Sequence, residues 1–403
     1  GDVYKRQPLL SLNSSSLGKG RNMFKRTLMA AAMAAVPFSA QAAQSAEDLQ
    51  KQIDILAQQV EALQKEQGAS SNPFGKVSIG GYGELHYNHF NKDPEFGGKQ
   101  QNDEVDAHRF VLFFGYDFTD KVRFFSEFEL EHGLAGEGKD GEVELEQAYI
   151  EIDTTANTKL KLGQFLVPVG IINETHEPNT FYGVERNRLE SAVIPATWWE
   201  AGAMFSQDLG AGLTYDIAVH SGLDFQGSTT SIRGSRQKVS EAAANKGAAT
   251  GRLRFVGIPG LDLASSVQYQ QDVNQDLGPE DVSARLVEAH ARYTIAGITA
   301  TVQKARWDFN GFNTAADRQD GELYELSYKA TEKLGVFGRY ENINLLAEDG
   351  TDNEASMIST FGVNYWIVPQ VVVKADMQNV NYKNSTEDDK ADDSINLGIG
   401  WSF

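Results

Sequence analysis

The sequence predicts an all-β fold, a sixteen-stranded antiparallel transmembrane β-barrel with a short N-terminal periplasmic coiled-coil helix. Three observations predict it. Apolar and polar residues alternate with a period of two from Lys76 to the C-terminus, as a wall between lipid and water demands. The connections between these segments are in turn long and short, the rhythm of bacterial barrels with long outer loops and short periplasmic turns. An export-type segment lies ahead of both.

Bulk composition agrees. The 403 residues include no cysteine, 38 glycines and 10% aromatic residues, with a formal charge of −20. Mean hydropathy is −0.39, as in a soluble protein, but averaging hides strands whose lipid-facing and lumen-facing residues alternate. Beyond the N-terminal region no apolar run reaches the roughly 20 residues of a membrane helix, which excludes a helical membrane protein. A chain without cysteine has no disulfide framework or thiolate metal site. Net acidity argues against nucleic acid as a partner.

From the N-terminus, the first recognisable element starts at Met23. Lys25 and Arg26 give a basic start, Leu28 to Phe38 a short apolar stretch, and Ser39-Ala40-Gln41-Ala42 a small-residue cleavage site. These are the parts of a secretory signal peptide, residues 23–42. Residues 1–22 lie upstream of that basic start and are expected to be non-native. Residues 1–42 carry six basic and one acidic side chain, so their removal takes the charge from −20 to −25.

Residues 43–66 hold a heptad seam, Leu49, Ile53, Leu56, Val60 and Leu63, spaced by fours and threes. An isolated helix of about two heptads is marginal in water. The segment therefore reads as a periplasmic oligomerisation helix, the alternative being a surface helix packed on its own barrel. Residues 67–75, rich in Gly, Ser, Asn and Pro, form a linker, and residues 76–403 the barrel.

Strands are expected near 76–90, 105–118, 121–132, 142–153, 158–164, 197–207, 212–221, 249–256, 261–271, 284–294, 298–308, 321–330, 333–343, 355–366, 369–380 and 392–403. In the second, Phe110, Leu112, Phe114, Tyr116 and Phe118 share one face, with Arg109, Val111 and Phe113 on the other. Sixteen strands leave an aqueous channel, not a filled core. A soluble β-sandwich also alternates, but its outward faces are not apolar.

The connection from Phe165 to Ala196 is too long for an ordinary turn, and unstructured stretches of that length are usually functional. It carries Val167, Ile171, Ile172, Phe181, Tyr182 and Val184, which a solvated loop does not need. It is expected to fold into the lumen, placing Glu174, His176, Glu177, Glu185, Arg186 and Arg188 near a constriction. Charged side chains there tune ion preference, or simply pair with the wall and hold the loop. The expected lumen face carries Arg109, Arg123, Lys161, Arg252, Arg254, Arg292 and Arg339, mixed with acidic residues such as Glu84, Glu127 and Glu288.

Lys159-Leu160-Lys161-Leu162-Gly163-Gln164-Phe165, Val169-Gly170-Ile171 and Glu185-Arg186-Asn187 resemble the phosphate-selective porin O and P family. His108-Arg109-Phe110 and Phe361-Gly362-Val363-Asn364-Tyr365-Trp366 are similar to it as well. The resemblance covers the chain from about residue 76 onward. It implies a homotrimer of sixteen-stranded barrels with an inward third loop. It implies passive diffusion of small hydrophilic solutes, with anions such as phosphate among them. The expected setting is the outer membrane of a Gram-negative cell, with outer-membrane lipid and lipopolysaccharide as partners and no cofactor.

The remaining features point to less. The acidic runs Asp272–Asp281, Glu348–Glu354 and Glu387–Asp393 lack the turn-glycine spacing of a dedicated Ca²⁺ or Mg²⁺ loop, and no metal site is expected. Gln237–Lys246 has helical character within a long loop. Two rival classes are a barrel-anchored enzyme (a lipase or protease) and a cell-envelope tether. An enzyme needs a nucleophile with a base in reach, and His86, His108, His220 and His290 are scattered over different strands, so catalysis is not expected.

Overall fold

The computed structural model describes residues 73–91, 103–136, 138, 141–225, 231–278, 281–311, 317–346, 353–382 and 393–403. The upstream segment, signal segment, coiled coil and first part of the linker lie outside these residues. The end of the linker and the first residue assigned to the barrel form a single 3-10 turn, Pro73–Lys76.

Sixteen strands follow: β1 (Val77–Asn91), β2 (Asp103–Thr119), β3 (Val122–Glu131), β4 (Val143–Thr155), β5 (Thr158–Leu166), β6 (Trp199–Gly210), β7 (Leu213–His220) and β8 (Ala248–Phe255) come first. The second half is β9 (Leu261–Gln270), β10 (Ser283–Ile295), β11 (Ile298–Asn310), β12 (Arg318–Lys329), β13 (Leu334–Leu346), β14 (Asn353–Val368), β15 (Val371–Tyr382) and β16 (Asp393–Ser402). All sixteen expected strands are present, and no bound differs by more than three residues from its expected place. Each strand pairs antiparallel with its sequence neighbours, and β16 closes on β1, with Tyr82 opposite Ser402 and Asn91 opposite Asp393. Closure leaves no open strand edge, so the wall pairs its N–H and C=O groups between neighbouring strands where lipid offers no partner.

The outward faces are apolar, with Phe110, Phe114, Val373, Met377, Ile395 and Leu397 all exposed. At the seam the Phe403 N–H donates to the Gly81 carbonyl at 2.9 Å, and the Gly81 N–H donates to Phe403 O at 3.0 Å. Only glycine fits at 81, because a Cβ there would stand 2.2 Å from the Val111 carbonyl oxygen. The turns at one end are tight. Ala211-Gly212 and Ala296-Gly297 both take positive φ at each residue, the conformation whose twist matches a two-residue hairpin.

Among the described residues four register shifts sit beside the tight turns and two lie within the wall, where they break strict alternation. Between β1 and β2, Glu84 faces Arg109 but His86 faces Asp106. One extra β2 residue is accommodated there, so His108 turns inward alongside Arg109. Between β3 and β4, Glu127 faces Gln147 but Phe128 faces Leu145, which turns Glu146 and Gln147 both inward. Bulges of this kind re-aim side chains.

The lumen is not uniformly open. An apolar cluster inside the wall joins Val169, Leu189, Val193 and Trp198 of the β5–β6 loop to Trp307 and Leu286 of the wall. Residues Leu223, Phe225 and Ile232 of the β7–β8 loop, and Val273 and Val282 of the β9–β10 loop, complete it. Gln237–Lys246 is not helical: it runs through turns and bends. Lys238, Val239 and Glu241 have positive φ, and the Gln237 amide accepts from Ala243 N–H at 2.6 Å and donates to Gly222 O at 3.0 Å. Side-chain bonding to the local backbone has displaced helical pairing.

Candidate functional site

The β5–β6 loop, residues 167–198, folds into the barrel. Its base is closed by Asn173, a fully buried side chain. The amide donates to Val167 O at 2.7 Å and Trp198 O at 3.0 Å and accepts from Trp198 N–H at 2.6 Å. From there the loop crosses the lumen and is tied to the wall at successive points. Asn179 donates to Ser402 Oγ at 3.2 Å, and Lys374 Nζ donates to Gly183 O at 2.8 Å while lying 3.7 Å from the Phe181 ring centre. Val184 N–H donates to Asp376 at 2.6 Å, and Leu189 N–H to Glu341 at 2.9 Å. Trp307 Nε1–H donates to Val193 O at 2.9 Å. A buried loop otherwise leaves backbone groups unsatisfied, and inward polar residues from the wall supply the partners.

The six loop residues expected at the constriction have different fates. Glu174 pairs with Arg252, which also holds Asp216 at 2.8 Å. His176 sits between Glu127 at 3.2 Å and Glu146 at 3.4 Å, all three buried. Burial works against its charge, but the two carboxylates outweigh it and push the imidazole up to about 10, so His176 is a cation that anchors the loop. Glu177 is half-buried and makes no ion pair among the described residues. Glu185 accepts from His86 at 3.0 Å and from Asn88 at 3.1 Å. Arg186 and Arg188 line a cavity of about 540 Å³, and Arg233 of the β7–β8 loop joins them. The rest of the lining mixes apolar Leu345, Ile358 and Val380 with polar Ser356, Gln378 and Ser394, and includes the carboxylates Glu84 and Glu185.

Replacing His176 with glutamine leaves two buried carboxylates without their cation. A cost of about 3–5 kcal/mol is expected, read as a lower midpoint in the heat-dependent gel shift of the folded barrel. An unchanged midpoint rules out the anchor role.

Most wall cations are neutralised in place. Arg109 meets Glu84 at 3.2 Å and Glu129 at 3.5 Å. Arg123 pairs with Glu151 and Asp153, Arg254 with Asp262 at 2.7 Å, and Arg339 with Glu325 at 2.8 Å. Lys161 lies over the Tyr149 ring at 4.7 Å. Arg292 is half-buried, with no ion pair among the described residues. The wall arginines and lysines thus do not form one continuous ladder. Arg186 is different: its Nε and Nη2 are buried with no hydrogen-bond partner among the described residues.

Two features escape a reading by alternation. Arg233 and Arg236 reach from the β7–β8 loop to the end of the β5–β6 loop, where Arg233 bonds Ala196 O and Arg236 donates to Pro195 O at 3.2 Å. The length of that connection was the available signal. The second is a row of imidazoles, His86 stacked on His108 at 4.4 Å and His132 edge-on to His108 at 5.5 Å. The acidic run at Asp272 is structural by contrast, since its carboxylate accepts from the N–H groups of Asn274, Asp276 and Val282.

Comparison with known proteins places this barrel in a class. The family model for Gram-negative porins matches residues 29–385, and the chain belongs to that family. It is an outer-membrane channel protein. A protein of Aquifex aeolicus (strain VF5), itself uncharacterised, is 32% identical over 81% of this chain and 80% of its own length. Among solved structures, an anion-selective porin from Comamonas acidovorans has a TM-score of 0.58 at 11% identity, covering 81% of this chain and 99% of that one. The Salmonella typhi OmpF complex with daunomycin scores 0.55 at 11% identity, over 81% and 97%. The trimer form of the Vibrio cholerae outer-membrane protein OmpT scores 0.54 at 12% identity, over 81% and 99%. These structural likenesses are of fold.

Proposed function

We propose that this barrel is a passive diffusion pore for small hydrophilic solutes that favours anions, inorganic phosphate among them. The observation that carries it is the cationic side of the cavity beside the inward loop. Arg186, Arg188 and Arg233 converge there, and the Arg186 guanidinium keeps unused donors. Burial, and then the like charges of Arg236 and Arg186, disfavour the Arg233 cation. A passing anion relieves that repulsion. Four arginines, Arg109 among them, stand against two carboxylates, Glu84 and Glu185, in the lining of this cavity, so its charge balance favours an anion. The resemblance of the Lys159–Phe165 segment to phosphate-selective porins supports the same direction, and the Comamonas neighbour is itself an anion-selective porin.

Export by the segment at residues 23–42, a threefold assembly in outer-membrane lipid and lipopolysaccharide, and a periplasmic association helix at residues 43–66 belong to this reading. The trimer form of the Vibrio cholerae neighbour supports the assembly. Single-channel recording of the purified, folded protein tests the pore, and the reversal potential in a KCl gradient tests its preference. Stepwise openings with a chloride-favouring potential are expected. Near-zero conductance returns the protein to the enzyme or tether classes. A potassium-favouring potential removes the anion reading while keeping the pore. Light scattering in detergent reads the stoichiometry.

A further inference from the structure

We propose that His86, His108 and Glu185 form a binding site for one divalent transition-metal ion, Zn²⁺ or Ni²⁺ by ligand type, at the edge of the cavity. One ligating atom from each of the three lies within 4.8 Å of the others. Two imidazoles and one carboxylate suit these borderline ions and leave positions for water. Ligand atoms around such an ion stand roughly 3.3 Å apart at normal bond lengths, so closure needs side-chain adjustment of about an ångström. The two rings are stacked 17° from parallel, so they must also turn about their side-chain bonds for both lone pairs to meet one ion.

The surroundings carry the argument further than the three residues alone. A metal-bound histidine typically has its other ring nitrogen fixed by a carboxylate. Both histidines here show that arrangement. His86 Nε2 lies 3.1 Å from Glu84, which leaves Nδ1 toward Glu185 at 3.0 Å. His108 Nδ1 lies 2.9 Å from Asp106, which leaves Nε2 as the available donor atom. Asn88 donates to Glu185 at 3.1 Å and orients it. Glu84, Asp106 and Glu185 surround the imidazoles, and Arg109, 3.2 Å from Glu84, offsets part of their negative charge.

The fold assembles this site through a local irregularity. Strict alternation on β2 points His108 away from Arg109 and into lipid. The register shift between Glu84 and His86 turns it inward instead, onto His86. Such an arrangement costs a regular ladder, and it places an imidazole where the inward loop delivers Glu185. A second grouping, Asp106, His108 and His132, shares His108. It uses as its carboxylate the group that already orients both His108 and His132, and His132 is more exposed than His86.

The test is Zn²⁺ titration of the full, folded chain in detergent, starting from chelator-stripped protein, with X-ray absorption on the loaded sample. One Zn²⁺ per barrel is expected, coordinated by two imidazoles, one carboxylate and water. His86→Gln and His108→Gln are each expected to weaken binding at least tenfold, and Asp106→Asn about tenfold. His132→Gln should change affinity less than twofold. Weakening by His132→Gln equal to that of His108→Gln, with His86→Gln silent, overturns this site in favour of the second grouping. No stoichiometric binding, or coordination by oxygen ligands alone, overturns it outright. The absorption readout uses unaltered protein and stands even if a variant does not fold. Because binding is measured without current, the result is separate from the pore's ion preference.

Discussion

Replacing Arg186 and Arg188 together by glutamine is expected to lower the anion-to-cation permeability ratio by roughly three- to tenfold. Both side chains line the cavity beside the inward loop, and the Arg186 guanidinium has buried donors with no partner among the described residues. A unit charge about 10 Å from a permeating ion, at an effective dielectric constant near 20 and with partial salt screening, is worth about 1 kcal/mol. Two such charges, only partly additive, give the stated factor. The reversal potential in a salt gradient reads the change, and conductance should move less, because the pore width is set by the loop backbone. The wall pairs supply a control. Arg254→Gln removes a charge already held by Asp262 at 2.7 Å and is expected to shift the ratio much less. Equal shifts in the two variants would show that total lumen charge, not position beside the inward loop, controls selectivity.

Trp307→Ala is expected to have the largest effect on the packed side of the lumen. Trp307 is fully buried on β11, stacked on Phe309 at 5.8 Å and tilted against Trp198 at 6.1 Å. It also holds Val193 O at 2.9 Å. Removing a buried tryptophan costs about 3–5 kcal/mol through lost burial and the cavity left behind. The orphaned Val193 carbonyl adds about 1 kcal/mol or more. The wall itself keeps its backbone pairing, so the barrel should still close while the second half of the inward loop loosens. The expected result is a lower heat-shift midpoint with larger, noisier single-channel current. Trp307→Phe should recover most of the packing and part of the midpoint. A variant with the parental current would show that this half of the loop does not confine the pathway.

The legibility of the sequence followed the physics of each element. The wall was readable because membrane and lumen impose opposite solvents on successive residues, so β2 and β16 announce their faces directly. The inward fold of the β5–β6 loop was readable too, because Val167, Phe181 and Val184 are apolar residues in a segment with no strand to bury them. Individual roles within that loop were not. Glu174, His176 and Glu185 each meet a partner on a strand distant in sequence, namely Arg252, Glu127 and His86. No local pattern distinguishes these from Arg186.

The histidines show the same divide more sharply. They sit on separate segments, and alternation assigns His108 to the lipid face. One extra residue in the β1–β2 register reverses that assignment, and a period of two cannot reveal where its own phase slips.

The sequence by itself therefore determined a closed sixteen-stranded wall, its outward face, its turn rhythm and the inward course of the β5–β6 loop, though not that of the β7–β8 and β9–β10 loops that pack against it inside the wall. Those properties depend on local alternation and on the solvent at each face. Only the tertiary structure decided which charges are cancelled, which side of the lumen is filled by the Trp198–Trp307 cluster, and which imidazoles meet. These depend on the strand register and on where the loop lands across the barrel, distances that no stretch of neighbouring residues encodes.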